Sequence, residues 1–567
     1  MGCRVDRKNK EQQIAVLDIY KKRIFSIAFV FTIMLFGLIG RLIYVQIIKG
    51  NDYYIRAKSQ WMKEIPIGIE RGKIYDRNTV LLTNKHKFKY LIIFPEYFIA
   101  SENNLKIISN ITGIKSDKLK FNYLTSNRSI RLKIVNNNID LIKKTTMMKG
   151  VFSVEYSDRY DKNGLASHVI GYINKIDNTG EKGIEKRYDK ILKENQFSKI
   201  YAIVDAKKRI IPGLGYKKID NVLPNSKKNI VTTLDYRIQS IAEMEFDKLK
   251  KNGSVVILDV KSGEILAMVS RPNFDQNNVA AYLKSKNKEL YNRSIQIGYP
   301  PGSIFKIVVA AAALENQITD IDETFYCKGY EKIGKTRIRC SSFDNGGHGE
   351  LNLEEAFALS CNAAFIQLGQ KIGGEKIISM AKKLGLGTLT NIGLLEEIPG
   401  RLPTKDYIKG AGIGNISIGQ GTLEVTPLQV AKMTSIIANN GIDKGVYLVK
   451  KIIDDNGNLV KKIKKNNPTR VLSYKTAKKI QYMMEKVVTI GTAKNARLNE
   501  IGSVAGKTGS SQAILQGKAT VHAWFTGYFP ANNPKYVITI IVEDGGSGSK
   551  VAAPLFKKIA REINSLR

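Results

Sequence analysis

Near its start the chain carries one unbroken apolar run, IFSIAFVFTIMLFGLIG from Ile24 to Gly40, extended past Arg41 by LIYVQII. Together the two pieces are long enough to cross a bilayer as a helix. Arg4, Arg7, Lys8, Lys10, Lys21, Lys22 and Arg23 stand in front of it, which predicts a cytoplasmic tail over 1–23, an anchor over 24–48 and everything later outside. The run is too long for a signal-peptide core and no small-x-small cleavage site follows, so the segment is expected to stay on the protein.

Beyond the anchor the pattern changes twice. Residues 49–225 are basic and Asn-rich, with short β-like runs such as YLIIFP, and read as an elongated α+β pedestal. NVLPNSKKN, Asn221 to Asn229, collects Pro, Asn, Ser and Lys and reads as the linker to a second domain over 226–567. There, SVVILDVKSGEILAMVS predicts two strands around a KSGE hairpin turn, and EEAFALS and AAFIQLGQKIG predict helices. AWFTGYF and KYVITIIVEDG return to strand character before a closing helix, VAAPLFKKIAREINSL. A strand pair, a helical block, more strands and a last helix predict an α+β domain with an antiparallel sheet.

Composition narrows the partners. With 567 residues and 43% hydrophobic content the chain can bury more than one core. Ninety Lys plus Arg against 51 Asp plus Glu leave a net charge of +39, which favours anionic neighbours. The basic residues are spread along the whole chain and no nucleic-acid-binding motif accompanies them, so nucleic acid is not an expected partner. Cys3, Cys327, Cys340 and Cys361 are too few for a disulfide scaffold, and Cys3 is read as a bystander.

Chemistry enters with YPPGSIFKIVVAAAALEN, where Ser303 and Lys306 lie one helical turn apart at the head of an apolar helix. A serine hydroxyl needs a base to become a nucleophile, and a desolvated lysine gives up its proton more readily. Alone, the pair could equally be a capping serine and a snorkelling lysine. SCN at Ser360–Asn362 and KTGS at Lys507–Ser510 follow in order, and this ordered set is known from penicillin-binding proteins and class A β-lactamases. Only four histidines occur, His86, His168, His348 and His522, and no G-x-S-x-G elbow accompanies them, which argues against a Ser-His-Asp triad.

With these motifs the chain resembles the class B penicillin-binding proteins, membrane-anchored D,D-transpeptidases of peptidoglycan synthesis. RGKIYDRN (Arg71–Asn78), DRYDKNGLASHVIGYI (Asp158–Ile173), GIEKRYD (Gly183–Asp189), TTLD, NISIGQGTLEVTPLQ and GTA at Gly491 are similar to further family segments, although Thr79 stands where glycine is usual. The resemblance implies a penicillin-binding, serine β-lactamase-like transpeptidase fold behind a pedestal. It further implies that Ser303 attacks the penultimate D-Ala carbonyl of a stem peptide while Lys306 takes its proton. Ser360 would relay that proton, Asn362 would hold the substrate amide, and Lys507 would help keep Lys306 neutral. Thr508, Gly509 and Ser510 would line the pocket for the terminal carboxylate, and the backbone N–H groups of Ser303 and Ser510 would form the oxyanion hole. Expected partners are peptidoglycan stem peptides on lipid-linked precursor strands, β-lactam antibiotics and a membrane glycan polymerase. Two rivals share the motifs: a membrane-bound β-lactamase or D,D-carboxypeptidase, and a scaffold that activates the polymerase. Arg71, Asp76, Arg77, Arg159, His168 and Glu185 have no place in acyl transfer and read either as a partner surface or as buried ion pairs.

One loop is left over. CKGYEKIGKTRIRCSSFDNGGHGE offers Cys327, Cys340, Asp344 and His348, four donors of the kind a structural zinc site uses, with Cys361 as a substitute. A Cys327–Cys340 disulfide and free thiols are the alternatives. No cofactor is expected to take part in catalysis.

Overall fold

The apolar run and the charged residues before it form a single helix, α1 (Cys3–Ile43), continued by a wider turn over Tyr44–Ile48. Its 17–48 stretch is long and apolar enough to span a membrane, and no protein atoms bury it. The computed structural model describes residues 3–566 except 70, 96, 126–128, 163, 176, 194–196, 204–215, 221–226, 464–466, 499, 501 and 516. The linker expected at Asn221–Asn229 thus falls largely outside the described residues.

The chain divides into two compact units that interleave along the sequence. The first comprises Met1–Gly68, Leu91–Ser153 and Phe197–Asn221. Its core gathers Leu91, Ile93, Phe98, Leu105, Ile108, Ile111 and Leu132. Helix Glu102–Thr112 supplies three of them from one face; Ser101 caps its start by accepting from Asn104 N, and Gly113, at φ 70°, ends it.

The second unit comprises Ile69–Tyr90, Val154–Gln196 and Val222–Arg567. Two pieces of the sequence block 49–225 therefore belong with the catalytic block. The physical cause is local: Ile74–Tyr75 pairs in parallel with Lys228–Thr232, which pairs antiparallel with Val449–Asp454. A Cβ on Gly72 would lie 2.0 Å from Lys228 O, so only glycine permits this approach. The same stretches bring in a buried ion network: Glu185 accepts from Arg71 Nε at 2.9 Å, from Arg159 Nε at 2.6 Å and from Tyr160 OH at 2.8 Å. Asp76 accepts from the backbone N–H groups of Asn78, Val80 and Tyr236, and Arg77 pairs with Glu264. His168 is buried against Glu289 O, and burial holds its ring neutral, with a pKa lowered to about 3. The motif residues of this region thus act as internal fasteners of the second unit. Thr79 has φ 65°, the left-handed region, which accounts for the glycine usual there.

The centre of the second unit is a five-stranded antiparallel sheet. Its strands are β1 (Gly253–Asp259), β2 (Ile265–Arg271), β3 (Ala505–Leu515), β4 (Lys518–Phe529) and β5 (Tyr536–Val542), in the order β2-β1-β5-β4-β3. The expected KSGE hairpin joins β1 to β2. Alternation along β4 sorts its two faces: Phe525 and Phe529 pack on Phe556 of the closing helix Ala553–Ser565, while Thr526 turns the other way to bond Thr434 of helix Pro427–Ala438. On that second face lies α2 (Lys306–Glu315), buried from Lys306 through Leu314. β3 is the sheet edge, and the KTGS residues sit on it.

Candidate active site

The turn that carries Ser303 is held from three sides. Trp524 donates its indole N–H to Pro300 O at 3.1 Å, Tyr299 exchanges two 2.9 Å backbone bonds with Val425, and Gly302 N donates to Gly419 O at 2.9 Å. Gly302 has φ 55°, and a Cβ there would meet Ser510 O at 2.9 Å. The segment NISIGQGTLEVTPLQ therefore forms the seat of the Ser303 turn, a role its pattern did not reveal. A 3-10 turn, Gly302–Phe305, then presents Ser303 and delivers Lys306 as the first residue of α2.

Lys306 makes no hydrogen bond to Ser303 and turns its amine to Ser360 and Asn362. Its Nζ donates to Ser360 O at 2.7 Å, to Asn362 Oδ1 at 2.8 Å and to Ser360 Oγ at 3.2 Å, while Lys507 Nζ donates to the same Ser360 Oγ at 3.0 Å. Catalytic hydrogen bonds are commonly long or unmade before substrate binds. Both lysines are fully buried. Burial lowers the Lys306 pKa to about 8, with the Cys361 and Cys340 sulfurs pulling the other way. Burial also pulls Lys507 well below its ordinary value, and the charge of Lys306 adds to this. The two amines share one acceptor, Ser360 Oγ, and both are held below the ordinary lysine range. Ser360 itself has φ 58°, a left-handed conformation that costs a residue with a Cβ about 1–2 kcal/mol. Bonds from Cys361 N to Ala356 O (2.8 Å) and from Thr492 N to Ala358 O (3.1 Å) hold it there.

On β3 the Thr508 hydroxyl meets Thr492 Oγ1 at 2.6 Å, and Ser510 Oγ accepts from Gly548 N at 3.2 Å. Thr492 belongs to the GTA segment, so that segment orients Thr508 of the KTGS strand. Gly509 has Pro301 O and Ile304 within 3.0 Å of where a Cβ would stand, which fits β3 closely against the Ser303 turn.

Behind Ser360 the leftover loop closes on itself. Cys327, Cys340, His348 and Cys361 bring their ligand atoms within 4.8 Å of one another. Cys340 Sγ lies 3.8 Å from Cys361 Sγ and 3.6 Å from His348 Nδ1. Tetrahedral zinc, with Zn–S of about 2.3 Å and Zn–N of about 2.0–2.1 Å, sets its ligands about 3.8 and 3.6 Å apart. Asp344 is not in the group: it sits exposed on a 3-10 turn, and Cys361, fully buried at the head of α3 (Asn362–Ile372), takes the fourth position. Cys327, Cys340 and Cys361 are unbridged. The contact between the two sulfurs pushes the Cys340 pKa down and that of Cys361 up, and Asn362 N donates to Cys340 Sγ at 3.3 Å.

A sheet edge bearing KTGS, facing a serine–lysine helix and an SxN turn, is the arrangement that penicillin-binding proteins and serine β-lactamases share. Residues 253–561 match the family described as Penicillin binding protein transpeptidase domain, and 66–219 match the Penicillin-binding Protein dimerisation domain. Stage V sporulation protein D of Bacillus subtilis is 33% identical, over 94% of this chain and 84% of its own. The peptidoglycan D,D-transpeptidase MrdA of Haemophilus influenzae is 27% identical, over 94% and 90%. Among solved structures, PBP2 of Helicobacter pylori, solved in complex with MreC, superposes with a TM-score of 0.68 at 25% identity, covering 89% of this chain and 99% of that one. The chain belongs to the class B penicillin-binding proteins, and it is a serine-type peptidoglycan D,D-transpeptidase.

Proposed function

We propose that Ser303, Lys306, Ser360 and Lys507 carry out the transfer, and the observation behind this reading is the Ser360 hydroxyl bridging two buried lysines. Ser303 Oγ attacks the penultimate D-Ala carbonyl, and its proton passes to a neutral lysine amine. The C–N bond to the terminal D-Ala breaks, and that amine leaves with a proton relayed through Ser360. An amine of a second stem peptide then displaces Ser303 and closes the cross-link. Asn362 holds the donor amide, and Thr508 and Ser510 hold its carboxylate. Full-length protein in detergent, given a D-Ala-D-Ala donor and an amine acceptor, is expected to release D-Ala and form the cross-linked dimer; release with hydrolysis alone would establish a carboxypeptidase instead.

Because the base must be neutral while burial leaves Lys306 with a pKa of about 8, acylation by benzylpenicillin should accelerate as pH rises through about 8 and level off above it. A rate independent of pH from 6 to 9.5 would remove lysine from the role of base.

The apolar N-terminal helix supports anchoring in a bacterial cell membrane, and on this reading the cations before it keep the N-terminus in the cytoplasm. Its partner on this reading is a membrane glycan polymerase, since a transpeptidase of this class works on strands polymerised elsewhere. That a similar PBP2 forms a complex with MreC supports assembly with other cell-wall proteins.

Cys327, Cys340, Cys361 and His348 hold a structural zinc ion on this reading, and the ligand spacings support it. The metal would take the place of the thiol protons and fix the loop behind Ser360. Protein purified without added metal should contain one zinc per chain by elemental analysis and lose it in Cys340→Ser. Zinc-free protein with two thiols missing on denaturation would establish the disulfide instead.

A further inference from the structure

Between Cys327 and Cys340 the chain forms a short hairpin, strands Tyr330–Ile333 and Thr336–Arg339, turned at Gly334 with φ 57°. The segment carries Lys328, Lys332, Lys335, Arg337 and Arg339 against a single acid, Glu331. Glu331 is engaged by Gln367 Nε2 at 2.6 Å, and among the described residues none of the five cations pairs with a carboxylate. The two faces of the hairpin differ. Ile333 and Ile338 pack on Gly414, while Arg337 and Arg339, two residues apart and hence on one face, are exposed. Aromatic rings hold both arginines: Arg337 lies 3.5 Å from the Tyr330 ring centre and 5.0 Å from that of Phe343, and Arg339 lies 4.5 Å from Phe343. Stacking occupies the flat face of a guanidinium and leaves its N–H edge free for a carboxylate. The hairpin also joins the active site, because Asn362 Nδ2 donates to Arg339 O at 3.1 Å.

We propose that Arg337 and Arg339 form an anion subsite that binds a carboxylate of the donor stem peptide upstream of its D-Ala-D-Ala end. The inference rests on Asn362 holding the donor amide, which brings the upstream part of the peptide beside Arg339. Uncompensated charge, pre-stacked guanidinium groups and continuity with the substrate wall select an acidic peptide as the occupant.

The test uses full-length protein in detergent and two D-Ala thioester donor peptides that differ only by glutamate or glutamine upstream. The wild type should acylate about tenfold faster, in kcat/KM, with the acidic donor. Arg337→Gln/Arg339→Gln should bring the ratio near one, Arg337→Lys/Arg339→Lys should keep part of it, and added salt should shrink it. A wild-type ratio near one, or a ratio unchanged in the Gln variant, overturns the subsite. If benzylpenicillin still acylates in that case, the catalytic reading stands without it; if neither thioester nor benzylpenicillin acylates the wild type, both fall. A ratio near one combined with charge-dependent binding of the hairpin to anionic vesicles would assign the arginines to a lipid surface and also overturn the proposal.

Discussion

Ser303→Ala should gain no covalent adduct on incubation with benzylpenicillin, where the wild type gains one, read by intact mass. Lys306→Ala should acylate at least about a thousandfold more slowly while remaining folded, since loss of a nucleophile or its base in comparable acyl-transfer sites costs this much or more. The two effects have different origins in the structure. Ser303 sits on a turn gripped by Trp524, Val425 and Gly419, and that grip does not use its side chain. Lys306 is a buried amine that, among the described residues, hydrogen-bonds Ser360 and Asn362 alone, so its removal takes away the group that bonds both members of the SxN wall. An adduct persisting in the Ser303 variant would move the nucleophile elsewhere. Wild-type acylation in the Lys306 variant would leave Lys507 as the base.

Glu185→Ala should lower stability by about 3–5 kcal/mol, because it strips the common partner from two buried guanidinium groups. Burial works against ionisation of Glu185, yet Arg159 and Arg71 hold its pKa below the ordinary value. Arg71 retains Asp189 at 2.7 Å, but among the described residues Arg159 has no other carboxylate and donates otherwise to Gly72 O, Arg71 O and Asn84 Oδ1. Thermal unfolding followed by circular dichroism should show the second unit melting many degrees lower. A shift of only a degree or two would mean that the network contributes little to folding and would reopen its residues to a role in partner binding.

The contrast between these two sites shows what the sequence discloses. Ser303, Lys306 and the KTGS strand were legible because each is a local spacing with a chemical meaning, and the order of the motifs tied them together. The α+β architecture followed from strand-period and helix-period runs in the catalytic block. The interleaving of the two units was not legible, since it depends on a two-residue strand, Ile74–Tyr75, finding Lys228–Thr232 across more than 150 positions. Arg71, Arg159 and Glu185 left two readings open because charge alone does not reveal burial. Cys361 entered only as a substitute for Asp344 for a similar reason: its place between Ser360 and Asn362 suits a buried thiol equally well, and only the helix start at Asn362 brings its sulfur beside Cys340. Gly419 and Thr492 carried no signal beyond lying in family-like segments, because what they do is position other residues.

The left-handed backbone at Ser360 has a consequence for engineering. Glycine fits that conformation without a Cβ penalty, so a library screened for heat resistance alone should enrich Ser360→Gly. Each such clone would lack the hydroxyl that links Lys306 to Lys507 and would be catalytically dead. At this position durability and turnover pull in opposite directions, and laboratory evolution of the scaffold needs an activity selection run in parallel with any thermal one.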